Sequence, residues 1–397
     1  MALPPQLLPL IAIMLLGHVA VSGGRMASSL FALQQGAGEP AVGVIVGLYS
    51  VLPVLFGLHF GRWCDLYGSR RVARGGLLLI LLGILLPAAW PALTAIYLGA
   101  LSAGAGMTLL AVSIQNAAGA IPLPAGHARV GVFGWLTLGH SASSVLGPMI
   151  AGVMVDGIGF RAAFGMLSAA TLAALVISRR VPRVPQAPSA LAAPRAHLGW
   201  RGLLAEPGLR RIYWVTTANA IAWDAFSFLG PVLGHRAQMS ATGIGTMIAS
   251  FAVGTFAIRL LVSSLGHRFT EWRMLGMALA LVSAVWLAFP FAPAGPALFV
   301  LPFLLGCGVG CGQPNVLSLL HRYAPPGRSG EAIGLRSFFG NASGLAVPLV
   351  FGATTLVAGV WPICWLIAAG AGSAAAIARG MDSNAPAKTG RERRGGG

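Results

Sequence analysis

The sequence predicts an all-α polytopic membrane protein with twelve transmembrane helices in two pseudo-symmetric six-helix bundles. Three observations lead to this prediction. The 397 residues are 56% hydrophobic and only 9% charged, whereas soluble domains carry roughly a quarter charged residues. About twelve apolar runs follow one another, each close to the ~20 residues that cross a bilayer as a helix. Segments of the first half also recur in the second half at a nearly constant spacing.

The apolar runs leave almost no polar face to meet water, which argues against a soluble helical protein. The first run has no basic residue before it and continues past Gly23. It therefore predicts a first transmembrane helix and not a secretion signal. The predicted spans are 7–33, 41–60, 73–91, 94–120, 130–155, 160–178, 210–234, 241–265, 273–292, 296–320, 330–357 and 360–378.

A stretch rich in proline and arginine divides the chain into two parts. Residues 179–208 form this stretch, and its composition predicts a cytoplasmic linker. The N-terminal bundle is expected at 1–178 and the C-terminal bundle at 209–381. Residues 382–397 are polar and predict a disordered cytoplasmic tail.

Three pairs of segments indicate an internal duplication. GPMIAG at 147–152 recurs as VPLVFG at 347–352, and GAGM at 104–107 recurs as GCGV at 306–309. The segment that starts at Gly61 recurs in SSLGHRFTEWR at 263–273. Two repeated bundles are a transporter architecture, in which the binding site lies between the halves near the membrane midplane.

Arginine is distributed unevenly between alternate loops. If the N-terminus lies in the cytoplasm, the outer loops contain only Arg161 and Arg236, and the inner segments hold most of the other basic residues. This bias predicts a bacterial-type inner-membrane protein with both termini in the cytoplasm. The formal net charge of +17 does not indicate a nucleic-acid partner, because the arginines are scattered over short loops.

The segment GRWCDLYGSRR and the two predicted bundles resemble the major facilitator superfamily. The signature of that family between helices 2 and 3 is G-x-x-x-D-(R/K)-x-G-(R/K)-(R/K). One inserted residue is needed for the match, and Leu66 replaces a basic residue. The resemblance implies that these residues control conformation, and that Asp65 latches one state at a membrane edge. The matching residues are Gly61, Asp65, Gly68, Arg70 and Arg71.

A second motif in the fifth span resembles the antiporter signature of the same family, G-x8-G-x3-G-P-x2-G-G. Gly134, Gly147, Pro148 and Gly152 match, while Ser143 and Ala151 replace glycines. The resemblance implies an exporter, and proton-driven antiporters in particular. The alternative is plain close packing, since small residues let membrane helices approach each other.

A third motif of the family is absent. Its proton-coupled exporters often carry an arginine in helix 4, four residues before a G-x-G. Gly104 and Gly106 are present, but Ala100 occupies the arginine position. Proton coupling by that route is therefore not expected.

Charged residues inside the spans are costly in lipid and tend to face a cavity or a partner. Arg25 in span 1 and Asp224 in span 7 occupy nearly matching positions of the repeat. In one interpretation Arg25 binds an anionic group and Asp224 takes up a proton. In the other, the two form a static salt bridge between the halves.

Other polar residues of the spans are candidates for the cavity or its gates. Arg259 lies near the end of span 8, where snorkelling is the default, and the resemblance places Arg336 near a gate. His18 and His140 have the residue type that titrates near neutrality, although packing is the usual role of a lone histidine. Phe226, Phe228 and Trp135 are candidates for stacking. The cavity candidates are completed by Trp223, Gln115, Asn116, Gln313, Asn315 and Asn341.

No pattern indicates an enzyme, a metal or a cofactor. The four cysteines are scattered, and Cys307 and Cys311 lack other ligand types nearby. The glycine-rich GCGVGCG lies within a span and not between a strand and a helix, so it does not predict a nucleotide site.

The sequence therefore predicts a monomeric secondary transporter in the lipid bilayer that moves a small organic molecule by alternating access, driven by an ion gradient. Export by proton antiport is the favoured mode, and proton symport of an organic anion is the alternative. A non-transporting membrane sensor or partner protein is a third possibility.

Overall fold

In the computed structural model, the described residues are 6–119, 121, 129–181, 200–265, 269–292, 295–325 and 329–383. They form fourteen α-helices. The helices of the first half are α1 (Leu7–Gln34), α2 (Gly38–Tyr67), α3 (Ser69–Ala89), α4 (Leu93–Gly119), α5 (Arg129–Gly157) and α6 (Phe160–Ile177). Those that follow are α7 (Trp200–Ala205), α8 (Pro207–Arg236), α9 (Ala241–Leu265), α10 (Glu271–Ala288), α11 (Ala297–Gly310), α12 (Gly312–Tyr323), α13 (Ser329–Ala358) and α14 (Trp361–Ser383).

The twelve predicted spans are confirmed, with α11 and α12 forming one span that is interrupted at Cys311. Ten segments of the described chain are long and apolar enough to cross a membrane by length and composition alone. The other two spans are α8 and α13. Both carry charged or amide side chains in their middle, including Asp224 and Asn341, and this polarity lowers their hydropathy.

Two predicted boundaries differ from the observed ones. The predicted linker 179–208 contains α7, and α8 begins at Pro207, where a proline suits the first turn of a helix. The predicted inner loop around Asp65 is not a loop, because α2 continues through Tyr67 and only Gly68 separates it from α3. Gly68 has a φ of 81°, which favours glycine and lets the chain reverse within one residue. Residues 384–397 of the predicted tail lie outside the described residues.

The two halves pack their helices in the same way, which confirms the predicted pseudo-symmetry. A Cβ on Gly104 of α4 would overlap the carbonyl oxygen of Tyr49 in α2. A Cβ on Gly306 of α11 would overlap that of Phe251 in α9, and both residues lie 202 positions later. The same backbone contact therefore occurs twice, at the spacing of the sequence repeat.

Because this contact joins backbone to backbone, we expect Gly104→Ala to separate α4 from α2. Overpacking of this kind costs about 1–3 kcal/mol of stability, so the variant should unfold at a lower temperature in detergent. Gly75→Ala in α3 is the control, since a Cβ there meets no atom within 4 Å. Equal melting temperatures for the two variants would contradict the close approach.

The helices alternate in direction, so the bundle has two ends. We call the end where α1 begins and α14 ends the termini side. The opposite end, where α1 ends and α2 begins, is the far side. The halves meet mainly where α2 packs on α13 and where α5 packs on α9, and these two contacts are equivalent in the repeat.

Candidate functional site

A cavity of about 280 Å³ lies between the halves, midway along the helices. Residues of α1, α2, α4 and α5 line it from the first half, and residues of α8, α9 and α13 line it from the second. Small-molecule sites measure roughly 300–1,000 Å³, so this volume suits a small ligand. Its position matches the prediction for a site between two repeats.

The far side of the cavity is closed by two equivalent backbone contacts. A Cβ on Gly43 of α2 would overlap the carbonyl oxygen of Pro348 in α13. A Cβ on Gly245 of α9 would likewise overlap that of Pro148 in α5. Glycine is required at both positions because the backbones of the two halves touch there.

Polar contacts beyond these glycines also join the halves on the far side. Asp156, at the end of α5, accepts hydrogen bonds from the backbone N–H groups of Ala241 (3.0 Å) and Thr242 (2.7 Å) at the start of α9. A carboxylate is favourable at a helix N-terminus. The Arg236 guanidinium pairs with the Glu39 carboxylate at 2.5 Å, which joins α8 to α2.

The residues of the second motif lie at these contacts. Gly147 packs α5 against α1, since a Cβ there would lie 2.7 Å from the carbonyl oxygen of Val19. A Cβ on Gly152 would lie 2.5 Å from the carbonyl oxygen of Ala241 in α9. Pro148 supplies the carbonyl that meets Gly245. Close packing, the alternative interpretation of this motif, is therefore present, while Gly134 lies in a part of α5 whose side chains are not described.

Arg25 lines the cavity on its far-side half. Its guanidinium carbon lies 4.8 Å from the centroid of the Tyr49 ring, a distance at which a cation is attracted to an aromatic face. Its Nε is buried and has no hydrogen-bond partner among the described residues. The Arg25 cation is thus held by an aromatic ring, and no described carboxylate forms an ion pair with it.

Asp224 lies beside the cavity wall and next to α13. Its Oδ1 is 3.7 Å from the position that a Cβ on Gly344 would take. The carboxylate interacts electrostatically with the Arg25 guanidinium, and the Ser343 hydroxyl is buried without a hydrogen-bond partner among the described residues. Arg25 and Asp224 are both described, and no ion pair forms between them within 4.0 Å. The static salt bridge is therefore not formed in this conformation.

Two histidines form a pair that the sequence did not predict. The ring centroids of His18 in α1 and His140 in α5 are 3.9 Å apart, and His18 Nδ1 is 2.8 Å from Ser143 Oγ. Both rings line the cavity. The predicted spans already give the two residues similar depths, but the rotation of each helix that turns both rings towards the cavity is not visible in the sequence.

Arg259 also lines the cavity, contrary to the snorkelling that its position suggested. It donates hydrogen bonds to Ser141 Oγ and to Gln313 Oε1, both at 3.3 Å. Ser141 belongs to the first half, so Arg259 bridges the halves. A basic residue six positions from the end of an apolar helix looks the same in the sequence whether it faces lipid or a cavity.

The other predicted polar residues fall into two groups. Trp223 and Asn341 line the cavity, and Gln313 reaches it through Arg259. Asn315 is buried and donates to the carbonyl oxygen of Cys311 at 2.8 Å, which stabilises the interruption between α11 and α12. Gln115 is exposed and Asn116 half-buried on α4, and neither lines the cavity.

Aromatic side chains form one wall of the cavity. Phe251 of α9 contacts Trp223 edge-on, with ring centroids 4.9 Å apart. It stacks on Phe226, with centroids 4.8 Å apart. Of the other stacking candidates, Phe228 is fully buried and Trp135 is 46% exposed, and neither lines the cavity.

The remaining residues that were predicted to act in gating are not among the described residues that line the cavity. Arg70 Nε donates to the carbonyl oxygen of Val181 at 2.6 Å, which ties the start of α3 to the end of the first bundle, and Arg71 is exposed. Arg336 is half-buried in α13, and its Nε has no hydrogen-bond partner among the described residues. The side chain of Asp65 and the surroundings of Gly61 lie outside the described part of the structure.

In the described part of the chain, no group of three or more His, Cys, Asp or Glu side chains is placed to hold a metal ion. The chemistry of the cavity is instead that of binding. It offers two guanidinium groups, two imidazoles, hydroxyls and an aromatic wall. Acidic side chains are absent from the described residues that line it.

Comparison with known proteins agrees with this architecture. The family model described as Major Facilitator Superfamily matches residues 10–348, and a second match covers 212–396. The maltose permease of Geobacillus stearothermophilus is 30% identical over 229 residues, which are 55% of each chain. The enterobactin exporter EntS of Shigella flexneri is 31% identical over 216 residues, which are 52% of this chain and 50% of the exporter.

The matches span about half the length of these relatives. The matches to solved structures cover a much larger share of the chain than the matches to these relatives. The peptide transporter POT in complex with sulfate superimposes with a TM-score of 0.79 at 16% identity, covering 95% of this chain and 94% of that one. The nucleoside transporter NupG has a TM-score of 0.77 at 13% identity, covering 95% and 99%. These likenesses concern the fold alone. With the family model matched over most of its length, the chain belongs to the Major Facilitator Superfamily.

Proposed function

We propose that the chain is a proton-coupled secondary transporter that moves a small organic anion across the bacterial inner membrane by alternating access. One observation carries the proposal: the cavity between the two halves is closed on the far side and contains two arginines, neither of which forms an ion pair with a described carboxylate. Uncompensated cations inside a membrane protein mark the path of an anion.

We place the termini side in the cytoplasm, because most arginines lie on it. The structure then corresponds to an inward-facing state, in which the far-side contacts of Gly43, Gly245 and Asp156 seal the cavity from the outside. Transport requires these contacts to break while the termini side closes. The exposed Gln313 and Asn341 lie on the cytoplasmic half of that path.

Asp224 is the proposed proton carrier. Its carboxylate acts on Arg25, and so competes with a bound anion for the same cation. Protonation of Asp224 removes the competition and strengthens anion binding. By linkage, bound anion strengthens proton binding equally. Anion and proton therefore bind to the same state, and this coupling favours symport into the cell.

Proton-driven export is the second candidate. It is supported by the motif around Gly147 and Pro148 and by the relative that is an exporter, which is 31% identical over about half of its length. Export by antiport requires the opposite coupling, in which proton and cargo exclude each other. An acid whose ionised form holds the cargo would satisfy it, because protonation would then release the cargo.

An imposed pH gradient distinguishes the two candidates. We would reconstitute the protein in liposomes and supply an organic anion that stabilises the purified protein against heat. For symport, we expect accumulation against the anion gradient only when the outside is the more acidic. Accumulation only with the reversed gradient would support antiport and contradict symport. Accumulation with neither gradient, in the presence of downhill flux, would contradict proton coupling.

A further inference from the structure

We infer that the cargo is an elongated aromatic dianion, with an acid group at each end of a flat ring system. The inference rests on the proposed transport function and names the substrate class of the same cavity. It is carried by the order of three features along the bundle: Arg25, then the aromatic wall of Trp223, Phe226 and Phe251, then Arg259.

The helix bounds give the depth of each feature below the far side. Arg25 lies nine residues before the end of α1, and Arg259 lies eighteen residues after the start of α9. At a rise of 1.5 Å per residue, their depths are about 14 and 27 Å. The two cations are therefore separated by about 13 Å along the bundle axis at the level of their backbones.

The aromatic wall begins at the depth of Arg25 and extends towards that of Arg259. Phe251 lies ten residues after the start of α9, and Phe226 lies ten residues before the end of α8, so both are at about 15 Å. Trp223 is at about 20 Å. The same counting places the contacting rings of His18 and His140 at about 24 and 26 Å, and their centroids are 3.9 Å apart. The depths thus agree with an observed contact.

The two guanidinium groups of the cavity favour a cargo with two acid groups. Neither Arg25 nor Arg259 forms an ion pair with a described carboxylate, and no described acid lines the cavity. A cargo with one acid group would leave the other guanidinium unpaired inside the membrane, which is costly. Charge-assisted bonds from arginine to a carboxylate are roughly twice as strong as neutral ones.

The aromatic wall of Trp223, Phe226 and Phe251 favours a cargo that contains a flat ring system. Aromatic pairs prefer offset-stacked or edge-to-face arrangements and add about 0.5–1.5 kcal/mol beyond their buried area. Trp223, Phe226 and Phe251 already contact one another in such arrangements. A ring system of the cargo extends this cluster, whereas an aliphatic chain gains only burial.

A dianion of this shape also connects the two halves. Arg25 belongs to α1 of the first bundle, while Arg259 and the aromatic wall belong to the second. A molecule that engages both arginines holds the bundles in one relative position. A monoanion engages only one of the two arginines. The shape of the cargo therefore determines whether the cavity closes around it.

Binding to the purified protein tests the inference without requiring transport. The probe is naphthalene-2,6-dicarboxylate, and affinity is measured by isothermal titration calorimetry in lipid nanodiscs. Three comparison compounds each remove one feature: naphthalene-2-carboxylate lacks one acid, 2,6-bis(hydroxymethyl)naphthalene lacks both charges, and adipate lacks the ring. We expect the dicarboxylate to bind at least about tenfold more tightly than the two naphthalene compounds, each of which loses at least one charge-assisted bond. Adipate keeps both acid groups and should bind more weakly because it lacks the ring contacts.

Variants of the protein test whether each carboxylate of the probe binds one of the two arginines. Arg25→Gln and Arg259→Gln should each weaken dicarboxylate binding by roughly tenfold to a hundredfold. They should weaken monocarboxylate binding unequally, because only one arginine is engaged. Phe251→Leu should weaken binding of the naphthalene compounds and leave adipate unchanged. Arg161→Gln is the control, since Arg161 is exposed at the start of α6.

Three results would overturn the inference: no binding of the dicarboxylate, equal affinity for the dicarboxylate and the diol, or unchanged affinity in both arginine variants with retained thermal stability. Each leaves the transport proposal standing if another anion is still accumulated in liposomes. Conversely, tight dicarboxylate binding without any flux would support the binding site and contradict the transport function.

Discussion

Asp224→Asn should abolish accumulation of the anion driven by a pH gradient, while counterflow exchange of the same anion continues at close to the original rate. The amide has nearly the same shape as the carboxylic acid and stays uncharged at every pH. It therefore mimics the protonated state permanently and leaves Arg25 free to bind the anion. Exchange requires only the loaded carrier to change its conformation, so it does not depend on proton release.

Gradient-driven accumulation and counterflow exchange can both be measured in liposomes made from one preparation of the variant. The control is Asp382→Asn, which neutralises an acid at the end of α14 and outside the cavity. Gradient-driven accumulation by Asp224→Asn at the original level would exclude Asp224 as the proton carrier. In that case the histidine pair of His18 and His140 would be the next candidate, because both rings line the cavity.

Gly43→Ala and Gly245→Ala should open the far side of the cavity and greatly reduce transport. In each variant the added methyl group overlaps a backbone carbonyl of the other half, which a small side-chain movement does not relieve. The cost of about 1–3 kcal/mol for such overpacking applies only to the state in which the far side is closed. A shift of about 1.4 kcal/mol changes a population ratio tenfold, so the population of the opposite state should rise by roughly that factor relative to the closed one.

Accessibility of the cavity measures this shift. A single cysteine, Ser144→Cys, is placed on the cavity wall in a protein without its four natural cysteines. A membrane-impermeant thiol reagent is then applied from the far side. We expect faster labelling in both glycine variants than in the parent. Gly57→Ala in α2 is the matched control, since a Cβ there meets no atom within 4 Å. Unchanged labelling would show that these glycines do not belong to the gate.

The fold was predictable because the bilayer restricts what a chain can do. The positions of the spans were predicted from the hydrophobic segments, and the orientation was predicted from the distribution of arginine between alternate loops. The repeat was visible in Gly104 and Gly306, whose small size is required by the same backbone contact in each half. Loop boundaries were less predictable. Helix α2 extends beyond its apolar part to Tyr67, because a helix that leaves the membrane no longer needs apolar residues.

The candidate site was predictable only in part. Arg25, Trp223 and Asn341 line the cavity as expected, since charged and polar residues in a span tend to face an interior surface. His140 was also a cavity candidate and lines the cavity, whereas its pairing with His18 and the place of Arg259 in the cavity were not predicted. Their roles depend on the rotation and depth of α5 and α9 against neighbouring helices, and one sequence does not encode these quantities in any local pattern.

We propose that the two halves move as rigid bodies between two states and that protonation of Asp224 shifts the balance between these states. Electron–electron distance measurements in nanodiscs test this proposal directly, without a cargo. Spin labels are attached at Ile158 and Val357, which are exposed on the far side in opposite halves. We expect a short and a long distance whose proportions differ between acidic and alkaline pH, and loss of this pH response in Asp224→Asn. A single distance that is the same at both pH values would contradict the exchange between two states.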